Sequence, residues 1–251
     1  MGSIYWAKLT GQMKDRRIRI PSELAYLIAI VLLALSVAML TSADFGISMI
    51  VAPAYLLSLK LDFLSFGQAE YVVQAILFLL VCLIIRRFRP IYLTSFLTCL
   101  LYGLALDAWR LIPFFNTAIT PPETIDIWLR LLLFVLGFLL TAFSVSVFFK
   151  TYLYPQVYDF ASKAISERYK LPLFPVKTAV DLSLLGLSFL LTFLFFGEIK
   201  AIGWGTIVIA CLNSLIITLF GKANDRLFVF PPLFPKFEAF FLFSDGSKKE
   251  Q

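Results

Sequence analysis

The sequence predicts an all-α fold, a polytopic transmembrane bundle of about six spans plus two half-length or interfacial helices in an inverted 3+3 repeat. Three observations carry that prediction. First, 60% of the 251 residues are hydrophobic and 15% are charged, where a soluble domain runs about 45–50% and about 25%. Mean hydropathy is +0.88. Second, the apolar residues form continuous runs close to the roughly 20 residues a helix needs to cross a bilayer, not the alternation of a barrel strand. Third, the layout of the first half recurs in the second.

The elements follow in chain order. Residues 1–21 read as a basic cytoplasmic segment with Lys14, Arg16, Arg17 and Arg19. It has no apolar core before Leu24 and no small-residue cleavage site, so no cleaved signal is expected. Met1-Gly2-Ser3-Ile4-Tyr5-Trp6 lacks the hydroxyl residue that myristoylation wants at its sixth position. Six runs are long and apolar enough to span: Ser22–Ala43, Gln68–Ile85, Ile91–Ile112, Ile127–Phe149, Thr178–Gly197 and Ile202–Phe220. Two segments are not. Ile47–Leu59 is apolar but about half a membrane long, and Pro53 interrupts it. Tyr152–Tyr169 carries Asp159, Lys163, Glu167 and Arg168, each costly at a helix centre. Both read as re-entrant or interfacial, because irregular backbone at membrane depth survives only against protein or a wet cavity. Leu227–Phe243 is apolar but broken by Pro231, Pro232 and Pro235. It reads either as an interfacial stretch or as a packed cap on the bundle. The membrane domain is then 22–225, and 226–251 is a cytoplasmic interfacial tail.

Charge sets the orientation. With six spans and the N-terminus inside, eighteen basic residues fall on the cytoplasmic side, and Lys60, Arg110, Arg130 and Lys200 fall outside. If both half-length segments crossed, eight spans would divide them about 16 to 5 and put Lys163 in the membrane. Six spans fit the positive-inside rule better. A multi-pass protein of the cell's inner membrane with both termini cytoplasmic is expected. The net charge of +6 is thereby explained by the bilayer, and no nucleic-acid partner is expected.

The repeat begins with Ala34-Leu35-Ser36-Val37-Ala38, echoed by Ala142-Phe143-Ser144-Val145-Ser146. Each copy ends a long span and precedes a half-length segment. The units run about 22–113 and 126–221. Three spans per unit is odd, so the second unit enters from the opposite face. That is the plan of many secondary transporters, whose solutes bind at the midplane where interrupted helices meet.

Chemistry is sparse. Histidine is absent, which removes the commonest metal ligand and the near-neutral proton shuttle. Cys82, Cys99 and Cys211 stand singly in apolar runs and read as small hydrophobes. Neither a disulfide nor a metal site is expected. With no nucleophile-base pair, paired carboxylates or phosphate-cradling glycine loop, an enzyme is not expected and no cofactor is implied.

The candidate substrate-binding residues are Asp44, Ser48, Asp107 and Asn213, with Gly46 and Pro53 marking the helix break. Asp44 has two readings: binding a cation or ammonium beside freed carbonyls, or capping the N-terminus of Ile47–Leu59. Asp107 is either a pathway acid or the partner of Arg110, three residues on. Asp181, four residues after Lys177, carries the same pair of readings. Ser36, Ser144 and Ser146 sit among alanines and read as helix packing or cross-helix bonding. Asn213, Ser214 and Gln74 are the other polar groups at membrane depth, and Asn213 should face a cavity or a neighbouring helix.

The run Ala34 to Ser48, with Asp44-Phe45-Gly46-Ile47-Ser48 at its end, resembles the opening of the YczE/YyaS/YitT group of uncharacterised bacterial membrane proteins. The resemblance continues through Pro53-Ala54-Tyr55-Leu56-Leu57-Ser58, Ser65-Phe66-Gly67, Arg86-Arg87-Phe88-Arg89-Pro90 and Tyr102-Gly103-Leu104-Ala105-Leu106-Asp107. It covers about the first 110 residues well and the second half in layout only. Met49 stands where that group often has proline. The resemblance implies the multi-pass fold and a permease-like role, and adds little about chemistry.

Two functions remain in view. The first is a small-solute or ion permease with one central site. The second is a substrate-binding or accessory subunit of a larger transport complex, similar in size to the capture subunits of energy-coupling vitamin importers. Ala25-x-x-x-Ala29 and Ala34-x-x-x-Ala38 would offer small-residue faces to a second copy or to a partner membrane subunit. For a structural or assembly role no residue speaks.

Overall fold

The computed structural model describes residues 17–235, apart from residue 87 and residues 89–91. The parts of the basic N-terminal segment, the arginine-rich linker and the C-terminal tail at 1–16, 87, 89–91 and 236–251 lie outside the described residues. Eight α-helices follow one another: α1 Ser22–Ala43, α2 Ala52–Lys60, α3 Phe66–Ile85, α4 Leu93–Arg110, α5 Ile127–Phe148, α6 Val157–Tyr169, α7 Leu173–Phe196 and α8 Trp204–Leu227. Five of them, α1, α3, α5, α7 and α8, are long and apolar enough to cross a membrane. The sixth expected span is the helix α4, which is more polar because it carries Asp107 and Arg110. The expected helix at 47–59 starts only at Ala52, and the one at 152–169 only at Val157.

Local chemistry explains the element ends. The α3 start is a capping box: Gln68 N donates to Ser65 Oγ (3.1 Å) and Ser65 N to Gln68 Oε1 (3.0 Å). Asp126 Oδ1 accepts from Trp128 N at 2.9 Å and opens α5. Pro21 and Pro172 immediately precede α1 and α7. Gly197, at φ 70°, closes α7 in the left-handed conformation.

The long helices run between two ends of the bundle. At one end the two strands of the described residues meet: β1 (Ile18–Arg19) pairs in parallel with β2 (Phe228–Val229). Beside them the Glu23 carboxylate accepts from Leu233 N, Phe234 N and the Tyr152 hydroxyl. The described part of the proline-broken segment is therefore a cap on the bundle. At the far end, Arg130 of α5 meets Asp44 after α1, and Lys60 of α2 donates to the Phe195 carbonyl of α7.

The core is built on α1 against α5. The two serine-alanine motifs face this contact, and Thr141 Oγ1 donates to Ser36 Oγ at 2.9 Å. Ala34, Ala38, Ala142 and Ser144 are fully buried. So are Ala25 and Ala29, or nearly so, which corrects one expectation: the small-residue faces of α1 are covered by the chain itself and offer nothing to a partner. Around that pair, α1 packs on α4, α5 on α8, α2 on α3, α6 on α7, α2 on α7 and α3 on α6. The α3–α4 seam is tight. A Cβ on Gly67 would run into the Gly103 carbonyl oxygen and the Asp107 carboxylate. By contrast α7 and α8, although consecutive, do not pack along their lengths.

Candidate functional site

The two half-length helices position the site. After α1 the chain turns through Asp44 (φ 53°) and Gly46 (φ 104°), then dips into the bundle. Gly46 is required there on two counts: its φ suits glycine, and a Cβ would strike the Gly203 backbone. The irregular backbone is satisfied by the start of α8. Gly205 N donates to Phe45 O (2.8 Å), Ile47 N to Ala201 O (3.1 Å) and Thr206 Oγ1 to Ile47 O (2.8 Å). The chain itself thus satisfies this buried non-helical backbone. Val51 N and Ala52 N then both donate to Ser48 O, and α2 begins, running back to the far end. Pro53 lies in its first turn, so it starts the helix and does not interrupt it. In the other half, α6 begins deep in the bundle, where Val157 N donates to Gln74 Oε1 at 3.2 Å. It ends at the strand-bearing face, with Arg168 Nε on the Ile85 carbonyl. Each half-helix therefore starts near the middle, and the two run to opposite ends.

Between their starts lies a small, partly open cavity of about 60 Å³, most of whose wall is apolar. Its polar lining comes from Ser48, Tyr102, Thr141, Gln156, Tyr158, the Asp159–Lys177 ion pair and Asn213. Lys177 Nζ is 2.6 Å from Asp159 and 4.0 Å from Asp181. The Tyr102 hydroxyl, Gln156 Nε2 and Asn213 Oδ1 are buried without a hydrogen-bond partner, an arrangement that costs stability unless something meets them. The volume suits about two water molecules or one small ion.

Of the four residues named from sequence, Ser48 and Asn213 line this cavity. Asp44 does not. It sits in a wider opening of about 530 Å³ at the far end, with Glu123 and Lys200. Among the described residues it caps neither α2 nor any other N-terminus: it is the left-handed residue closing α1, and its carboxylate lies 3.6 Å from Arg130. Arg130 in turn donates to Ala43 O and covers the Phe45 ring. Burial holds the Asp44 carboxyl above the ordinary carboxylate value, against the pull of Arg130. Asp107 is also elsewhere. It accepts from Ser65 Oγ (2.5 Å) and Gly67 N (2.8 Å), so it caps the start of α3 from the neighbouring helix. Arg110 turns to Thr117 and to the Phe66 ring. Asp181 does meet Lys177, and the pair extends to Asp159.

The sequence reading missed Glu70. It is fully buried in α3, where Gln74 Nε2 (3.0 Å) and the Tyr158 hydroxyl (2.9 Å) both donate to Oε2. Oε1 has no partner. The signal was available, since a lone acid inside an apolar run is a functional candidate by default. Gln156, Tyr158 and Asp159 were passed over because their segment read as too polar to span. Among the described residues, no group of three His, Cys, Asp or Glu side chains could hold a metal ion.

A bundle with five helices fit to cross a bilayer, folded around a small cavity with a few polar side chains, has the build of a multi-pass membrane protein. The chain belongs to the family of unknown function DUF6198, whose model matches residues 20–222. No curated protein and no solved structure matches it.

Proposed function

We propose that this protein is a permease for a small polar solute or ion, built as two inverted halves with six spans around the central cavity. The observation that carries the proposal is the pair of half-length helices, which start at one small cavity carrying buried, unpaired polar groups and run to opposite ends of the bundle. Interrupted helices meeting at the midplane are where secondary transporters hold their solutes. The helix pairings support a two-fold relation. Exchanging α1 with α5, α2 with α6, α3 with α7 and α4 with α8 turns α1–α4 into α5–α8, α2–α3 into α6–α7 and α3–α6 into α2–α7. Parity supports six crossings, because β1 before α1 pairs with β2 after α8, so an even number of passes must lie between them. The resemblance to the YczE/YyaS/YitT group and the positive-inside count support an inner-membrane protein with cytoplasmic termini.

The test is uptake of a panel of small polar solutes and ions into liposomes carrying the full chain, with Lys177→Met and Asn213→Leu in parallel. At least one solute should enter faster than into empty liposomes. Both substitutions should slow its entry by about tenfold or more, the loss of roughly one charge-assisted hydrogen bond. If no solute enters, or if entry ignores both substitutions, the proposal fails.

A further inference from the structure

We infer that Glu70 is a proton-binding site, read by the central cavity through the Tyr158 hydroxyl. The geometry is specific. Glu70 is fully buried, and the ion pairs of the described residues do not include it. Its neighbours are neutral donors. Gln74 and Tyr158 both serve Oε2, and Oε1 is left without a partner. An ionised carboxylate offers two oxygens that both accept, and burying it with one oxygen unserved and no cation beside it favours binding of a proton. The one-sided pattern leaves Oε1 as the open position at which a proton can bind. The groups facing it from the packed helices add no positive charge. From α4 come Cys99, whose Sγ lies 3.9 Å from the Glu70 carbonyl, and Tyr102. From α6 comes Tyr158, and the next residue, Asp159, is held by Lys177 of α7. On α2, Tyr55 is engaged with Thr117 and Lys60 with the Phe195 carbonyl.

Tyr158 supplies the link, because it also lines the cavity. Its single hydroxyl proton can go to Glu70 or to a cavity occupant, not to both. When an occupant takes that hydrogen bond, the carboxylate loses a donor and uptake of a proton at Oε1 restores its balance. The proton comes from solvent and returns to it when the cavity empties. By reciprocity, protonation of Glu70 frees Tyr158 for the occupant. Coupling to a transported solute rests on the permease reading; the proton site itself does not.

The test needs no solute. The full chain in lipid nanodiscs is followed by infrared difference spectroscopy across pH. A carboxylic C=O band should rise and vanish with pH and be lost in Glu70→Gln. Tyr158→Phe should displace the pH at which it vanishes. A carboxyl spectrum identical in wild type and Glu70→Gln overturns the site, and an unmoved transition in Tyr158→Phe overturns the link. If Glu70→Gln fails to fold, carbon-13 labelling of glutamate in the wild type takes its place. Glu70 is then recognised by slow deuterium exchange, and a labelled chain with no slowly exchanging, pH-dependent carboxyl overturns the site. Transport that fails while this band titrates would fault the permease reading alone.

Discussion

Asp107→Ala should destabilise the protein without altering what occupies the central cavity. The carboxylate accepts from Ser65 Oγ at 2.5 Å and from Gly67 N at 2.8 Å, both at the start of α3. Hydrogen bonds to a charged group contribute about 1.5–3 kcal/mol each in net terms. A negative charge at a helix N-terminus adds about 0.3–1 kcal/mol. Water replaces part of what the exposed half of the contact loses, so the net cost of alanine is about 3 kcal/mol. For a chain of this size about 1 kcal/mol moves Tm by about 2–4 °C, so the melt should fall by about 6–12 °C. Asp107→Asn keeps one acceptor and should lose about half as much. The assay is thermal unfolding of the full chain in mild detergent, followed by tryptophan fluorescence. A Tm for Asp107→Ala within about 2 °C of wild type would refute the capping role. An unchanged melt with altered solute binding would return Asp107 to the solute path.

Two glycines predict opposite outcomes. Gly67→Ala forces a Cβ against the Gly103 backbone oxygen and should cost about 1–3 kcal/mol, whereas Gly186→Ala in α7 meets nothing within 4 Å and should gain about 0.5–1 kcal/mol. Paired melts check both, and equal shifts would contradict the packing described. Glu23→Ala removes the acceptor for Leu233 N and Phe234 N, so exchange at those two amides should accelerate about 5–30-fold, the equivalent of about 1–2 kcal/mol. Hydrogen exchange with mass spectrometry reads this, and unchanged rates would show the cap is held by other contacts. Because burial raises the Asp44 carboxyl in the folded chain, the fold binds that proton more readily than the unfolded chain does. Its contribution to stability is present at low pH and is lost as pH climbs from the ordinary carboxylate value to the folded one. Asp44→Asn should flatten that slope in denaturant titrations run at stepped pH; the same slope in the variant would count against it.

The helices were legible because lipid imposes length and continuity on any span, and all six apolar runs became helices. The site was legible only in part. Ser48 and Asn213 stood out as polar groups with no business in an apolar run, and both reached the cavity. Asp107 was misread because its partners are a hydroxyl and a backbone amide forty residues away, which no spacing on its own helix reveals. Tyr158 and Asp159 were hidden by the argument that excluded their segment from lipid. The polarity that forbids crossing is also what lines a cavity, and only the return path of the chain tells the two apart. Glu70 sits in the second turn of α3, and α6, laid across it, is what buries it.

The unequal seams carry a thermodynamic consequence. In the first half Asp107 and the facing glycines lock α3 to α4, whereas their counterparts α7 and α8 stand apart. On the proposed inverted-halves reading, exchanging the roles of the halves would close α7 on α8 and open α3 from α4, yet Gly186 of α7 faces open space and Gly205 of α8 is already pressed against Phe45 and Phe134. The exchanged arrangement would forfeit the Asp107 latch with nothing equivalent in return. At about 3 kcal/mol that is a bias on the order of a hundred to one. For the permease proposed above, that bias sets a resting position, and a ligand that reverses it would have to bind the other arrangement at least that much more tightly.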